Sequence, residues 1–104
     1  MSSNEKIDLS QLDFSSFKKT VNKPYSCVEN EGCLLVLTEV VELAKPNDPR
    51  VKRVPFVLVF KAPSNFPIQQ AVYELANEEL GHLEVFLVPV SSSEEHVTLE
   101  ATFT

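Results

Sequence analysis

Ile68-Gln69-Gln70-Ala71-Val72-Tyr73-Glu74-Leu75-Ala76-Asn77-Glu78-Glu79-Leu80-Gly81 is the stretch on which the fold turns, because it supports two incompatible readings. Ile68, Ala71, Val72, Leu75, Ala76 and Leu80 recur at helical spacing. Pro67 suits a first helical position, Ser64 or Asn65 could lie near the cap, and Gly81 suits a helix C-cap. The rival reading makes Ala71–Leu75 a strand that turns through Asn77–Gly81 and pairs with Leu83–Val90 as a hairpin. Ala71, Tyr73 and Leu75 would then face one way, and Val72 and Glu74 the other. Local propensity alone leans slightly to the helix.

The flanks on both sides read as strands. Downstream, Leu83–Val88 is a strong strand that Pro89 is expected to close. Ser91-Ser92-Ser93-Glu94-Glu95 has the composition of a flexible connector. Val97, Leu99, Ala101 and Phe103 then alternate with Thr98, Glu100, Thr102 and Thr104, the plainest half-buried strand in the chain. Upstream, Pro55 introduces Phe56–Phe60, apolar on both faces and so expected at the centre of a sheet. Ala62–Pro67 makes a turn. Cys33–Leu43 is a long strand whose alternation slips, with Leu35, Leu37, Val41 and Leu43 sharing a face with Glu39. The slip predicts a bulge or bend near Thr38–Glu39. Tyr25–Val28 precedes it across the turn Glu29-Asn30-Glu31-Gly32. The connection Ala44–Arg53, with Pro46, Asp48 and Pro49, is expected to be exposed and mobile.

A short helix signal comes before these strands. Asp13 can cap it, Phe14, Phe17 and Val21 fall on one stripe, Lys18 and Lys19 sit near the C-terminal dipole, and Pro24 stops it. The expected organisation is one domain: residues 1–9 a loosely ordered arm, 10–23 the helix region and 25–104 a β-rich body.

Composition bounds what such a domain can do. At 104 residues and 11.7 kDa the chain can bury about two-thirds of its surface, enough for one core without staples. Hydrophobic residues at 43% and charged residues at 23% exclude wholesale disorder. With no membrane-length apolar run and a polar start, a soluble, cytoplasmic protein is expected. All nine Lys and Arg lie between Lys6 and Lys61, and residues 1–61 sum to +1. Residues 62–104 carry seven Glu, no Lys and no Arg, so the whole chain stands at −6. That balance disfavours nucleic acid and anionic membranes as partners. The one basic cluster, Arg50, Lys52 and Arg53, reads as a solvated loop, with an acidic partner as the rival use.

The C-terminal half carries a resemblance. Pro55–Pro63, then Gln70-Ala71-Val72-Tyr73-Glu74-Leu75, then Leu80-Gly81-His82-Leu83-Glu84-Val85-Phe86-Leu87-Val88-Pro89-Val90, ending Glu100-Ala101-Thr102-Phe103, resembles a family of uncharacterised bacterial domains of about this length. Ala71-Val72 stands where that family's Gly-Thr would be, and Ala76-Asn77 where a His-Pro pair is usual. The resemblance implies a short N-terminal helix followed by strands, and it implies the hairpin for residues 71–90. It also implies neighbours of the phage-tail-collar kind, and so a part in particle or appendage assembly. It transfers no catalytic or binding residue.

Few constellations could carry chemistry. Cys27 and Cys33 flank the first turn, but their spacing is neither a redox pair nor a common zinc pair, and two buried apolar thiols are expected. His82 and His96 could join Glu84, Glu94 or Glu95 as metal ligands or an acid–base pair; exposed strand-end histidines are the plainer reading. Ser91–Ser93 lacks a nucleophile elbow. Gly32 and Gly81 open no phosphate-binding helix. The nine aromatics fall on inferred core faces, with Tyr73 and Tyr25 the two expected to show a polar tip at the surface.

The expected fold is α+β, mainly β: a short N-terminal helix packed on a five- to six-stranded antiparallel sheet, small barrel or sandwich. Its expected core is Phe17, Leu35, Leu37, Phe56, Leu58, Phe60, Tyr73, Leu83, Val85, Leu87, Leu99 and Phe103. No cofactor, metal or enzymatic activity is expected. The expected function is a non-enzymatic interaction or assembly module with an unknown protein partner. Its candidate contact face is Glu78, Glu79, Glu94 and Glu95, and strand edges would offer a route to a homo-oligomer. The alternative is a small barrel carrying an apolar ligand.

Overall fold

The structure, a computed structural model, describes residues 12–28, 34–43, 54–66 and 69–103. Among these residues the chain forms one helix, α1 (Phe14–Lys18), and six strands: β1 (Pro24–Cys27), β2 (Leu34–Glu42), β3 (Phe56–Pro63), β4 (Ala71–Asn77), β5 (Gly81–Ser92) and β6 (His96–Phe103). The strands close into a barrel in the order β1-β2-β3-β6-β5-β4, every pair antiparallel. That order resolves into two three-stranded meanders, β1-β2-β3 and β4-β5-β6. They are joined along the eight-residue β3–β6 ladder and closed by β1 against β4. Of the architectures expected from the sequence, the small barrel is the one formed. The N-terminal arm, the turn before Cys33, Cys33 itself and the Ala44–Arg53 connection lie outside the described residues.

Residues 71–90 form the hairpin, with Ala71 opposite Leu87, Tyr73 opposite Val85, Leu75 opposite Leu83 and Asn77 opposite Gly81. Tyr73, Leu75 and Asn77 point inward while Val72 stays out. The helical periodicity loses because a helix here would leave β1 and β5 without the strand that lies between them. Asn77 fixes the turn. Its side-chain oxygen accepts from the Glu79 and Leu80 N–H groups at 2.8 and 3.0 Å. Its amide nitrogen donates to the Pro24 carbonyl at 3.1 Å, tying the hairpin to β1. Gly81 completes the turn at φ 85°, a conformation that a Cβ would penalise.

Each meander has a bulge in its middle strand. In β2 the register shifts between Leu37 and Glu39, as the sequence slip predicts, and the Thr38 hydroxyl donates to the Val59 carbonyl at 3.1 Å. The extra residue turns Val40 inward and Val41 outward, so Val41 and the exposed Leu43 do not share the Leu35–Leu37 face as expected. In β5 the register shifts between Pro89 and Ser91. Pro89 therefore does not close the strand. A bulge accommodates its missing N–H, and the strand continues until Ser91 and Ser92 pair with Thr98 and Val97. β3 was expected at a sheet centre. A barrel has none, but β3 is flanked on both sides, with Phe56, Leu58 and Phe60 inside and Val57 and Val59 half-buried outside.

All twelve expected core residues are buried, joined by Tyr25, Cys27, Leu75, Val97 and others. The helix is shorter than the sequence stripe implies: it stops at Lys18, and Val21 lies beyond it. Asp13 caps it, accepting from the Ser16 N–H at 2.9 Å, while Ser16 Oγ accepts from the Asp13 N–H at 3.4 Å. The bonds from Ser16 hold the exposed Asp13 carboxyl below its ordinary range. The chain then turns through Asn22, whose φ of 71° suits asparagine better than a branched residue. This docks Phe17 against Phe56 and Phe103 with ring centroids at 5.8 and 5.2 Å. Phe56 and Phe103, opposite each other on β3 and β6, stack at 5.1 Å. The helix thus plugs one end of the barrel.

Tyr25 corrects an expectation. It has no exposed surface, and its ring meets Phe60 edge-on at 5.1 Å. The Thr20 hydroxyl donates to the Phe17 carbonyl at 2.8 Å, so it accepts the Tyr25 phenol proton across 2.7 Å. The phenol finds its partner inside the fold and has no need of the surface. Burial pushes its pKa up to about 12; the Thr20 hydrogen bond opposes the shift and the Glu79 charge adds to it. Tyr73 is also buried, its hydroxyl donating to the Gln69 carbonyl at 2.9 Å.

Three measurements test this account. Phe60→Ala should lower unfolding free energy by about 3–5 kcal/mol, and a loss under about 1 kcal/mol would contradict its central place. Asn77→Ala should cost about 2–3 kcal/mol in urea titration, because it strips partners from the Pro24 carbonyl and two turn amides. Tyr25 carries a pH signature. Below about pH 10 the phenol is neutral in both states, but between there and its folded pKa of about 12 only the unfolded chain releases the proton. Stability should therefore fall as pH rises above about 10, by up to roughly 3 kcal/mol, and Tyr25→Phe should remove this part of the alkaline loss.

Candidate functional site

The four expected contact carboxylates lie on two different turns. Glu78 and Glu79 are exposed on the β4–β5 turn, whereas Glu94 and Glu95 are exposed on the β5–β6 turn. The twelve residues of β5 separate the two pairs, roughly 36 Å of strand if it were straight. The turns themselves are well determined. Asn77 organises the first. In the second, Ser93 Oγ accepts from the Glu95 and His96 N–H groups, both at 3.2 Å, and the Ser93 N–H donates to the His96 carbonyl at 2.8 Å. Ser93 is therefore the organiser of a turn, and Ser91 and Ser92 belong to a strand, in place of the expected loose connector.

The remaining candidates are scattered. His82 lies near none of the expected Glu94 and Glu95; its Nδ1 stands 3.3 Å from Glu74 Oε2, both groups half-buried on the outer wall. His96 is opposite Pro63 at the far end of β6. Cys27 is a buried free thiol facing Leu75, and Cys33, Arg50, Lys52 and Arg53 fall outside the described residues. Among the described residues no three His, Cys, Asp or Glu side chains come together as a metal cluster. No helix among them is long and apolar enough to cross a membrane. Among the described residues every strand of the ring has a neighbour on both sides.

What the wall does present is apolar. Val72 on β4 and Phe86 on β5 stand directly opposite each other, 55% and 51% exposed. Phe86 thus departs from the expectation that the aromatics face the core. The alternation itself carries the signal: with Leu83, Val85 and Leu87 inside, Phe86 must point out. Next along the same face Glu74 is opposite Glu84. Two clefts lie among the described residues. One of about 200 Å³ lies beside α1 between Phe14, Phe56, Val54, Asp13 and Glu42, and another of about 40 Å³ lies between Lys23, Pro24 and the Asn77–Glu79 turn.

Comparison with known proteins places most of this chain in one family. No match is found among curated proteins, nor among solved structures. The model of one family, described as Domain of unknown function (DUF6916), matches residues 12–103, a span that takes in the helix and all six strands of the barrel. The chain belongs to that family of domains.

Proposed function

We propose that this domain is a non-enzymatic protein-interaction or assembly module. The observation that carries the reading is the Val72–Phe86 pair, held half-exposed in register on the outside of a closed, hydrogen-bonded wall. Two large apolar side chains facing each other on a rigid surface gain free energy when a partner covers them. The barrel keeps them there without cost to its own core, which is filled from the other face of the same strands.

The filled core favours this reading over a carrier of an apolar ligand. Tyr25, Leu35, Leu58, Phe60, Leu75 and Leu99 have no exposed surface and occupy the space a ligand would need. A finer reading, assembly of a phage-tail-like particle or appendage in a bacterial cytoplasm, draws its support from the family resemblance alone.

A photo-crosslinking amino acid placed at Val72 should join the full chain to a defined protein partner in its native cell. The same group at Lys61, on the outer face of β3, should not. Adducts that are equal from both positions, or absent from both, would remove this wall as a contact surface.

A further inference from the structure

The exposed pair on β4 and β5 extends across the barrel seam. β1 meets β4 with Ser26 opposite Ala76 and Cys27 opposite Leu75. The Val28 N–H donates to the Glu74 carbonyl at 2.9 Å, which continues that register and sets Val28 diagonal to Val72. On the other side of β1, Ser26 is opposite Leu34, so Leu34 is diagonal to Val28. Leu34 and Val28 are 51% and 42% exposed. Directly opposite side chains lie ~5 Å apart and diagonal ones ~7–8 Å, within reach of one another. Leu34, Val28, Val72 and Phe86 therefore follow one diagonal line over β2, β1, β4 and β5, an apolar ridge with Glu74 directly opposite Val28 at its edge.

We propose that this ridge is the docking face for a cationic protein segment, one that presents apolar side chains flanked by lysine or arginine. The proposal rests on the interaction reading above and specifies its partner. Charge selects the occupant. The β4–β5 half of the ridge lies in residues 62–104, which hold seven Glu, no Lys and no Arg. Glu74 and Glu84 stand beside Val72 and Phe86 on the outer face, with His82 3.3 Å from Glu74. Glu78 and Glu79 project from the turn of the same hairpin, where Lys23 of the segment before β1 shares a small cleft with them, so that carboxylates outnumber the cations around the strip. An apolar strip with an acidic border matches a partner whose apolar centre has a basic border. A second copy of the chain would set these carboxylates against their own kind, and nucleic acid or anionic lipid would meet the same repulsion.

The test is an NMR titration of the full isotope-labelled chain with a synthetic peptide of alternating valine and lysine. A control peptide carries glutamate in place of each lysine. Amide shifts should appear at residues 28, 34, 72–74 and 84–86 with the cationic peptide only. Its affinity should fall at least about tenfold from low to high salt, as expected for charge attraction that salt screens. Phe86→Ser and Glu84→Lys, both at exposed positions, should each weaken binding several-fold while leaving the circular dichroism spectrum intact. Shifts elsewhere, no shifts, or equal response to both peptides would overturn the proposal. Shifts at the ridge on raising protein concentration alone, with a dimer in sedimentation that Phe86→Ser abolishes, would overturn it in favour of a second copy. Crosslinking through Val72 without any response to the cationic peptide would overturn the charge assignment and leave the interaction reading standing.

Discussion

Closure of the ring rests on the contact between β1 and β4, where Ser26 faces Ala76 and Cys27 faces Leu75. The Val28 N–H, the Ser26 hydroxyl and the Asn77 amide reinforce it by donating to the carbonyls of Glu74, Ala76 and Pro24. Without this seam the two meanders would form an open sheet with β1 and β4 as bare edges. With it, Tyr25 and Cys27 are brought over the interior, and the Tyr25 phenol reaches the Thr20 hydroxyl in the segment after the helix. The helix plug, the buried tyrosine and the hairpin turn thus depend on one another through four residues of strand.

Tyr25 shows how complete that dependence is. A phenol can be taken fully out of water only when its proton has an acceptor, and the acceptor here is the single residue Thr20, itself tied to the end of the helix by the Phe17 carbonyl. Among the described residues no buried side-chain nitrogen or oxygen lacks a partner. A scaffold so satisfied and so filled has little left to offer inside. The interaction proposed for it falls on the wall and the turns.

How legible this was depends on whether the deciding signal is local. Strands β3 and β6, the bulge in β2 and the twelve core residues could be read because alternation and its slips are properties of consecutive residues. The β4 hairpin could not be read that way: its own residues favour a helix slightly, and the vote against them comes from pairing with β5 across the turn and with β1, which is distant in sequence. Tyr25 differs from its expected place for another reason: Thr20 is only five residues away, but no periodicity announces that the turn after the helix brings its hydroxyl to the phenol. Pro89 looked like a terminator because a proline breaks a regular ladder, and only the register with β6 reveals the bulge that absorbs it. The proposed contact surface was legible in part. Phe86 outside and Val72 outside each follow from alternation, but their meeting, and the extension to Val28 and Leu34, need the ring.

The two-meander layout also sets an order of assembly. Within each meander the strands that pair are neighbours in sequence, joined by connections of three to thirteen residues whose closure costs little entropy beside that of the long-range ladders. Only β3 with β6 and β1 with β4 join distant parts of the chain, and these two are unequal: eight residue pairs in one, two register pairs in the other. The longer ladder is the one that can hold the meanders together first, leaving the seam to zip last. By the same logic the seam is the cheapest place to part. The barrel has a latch: between Ser26–Cys27 and Leu75–Ala76 lies the ladder whose parting gives up the fewest register pairs in the ring.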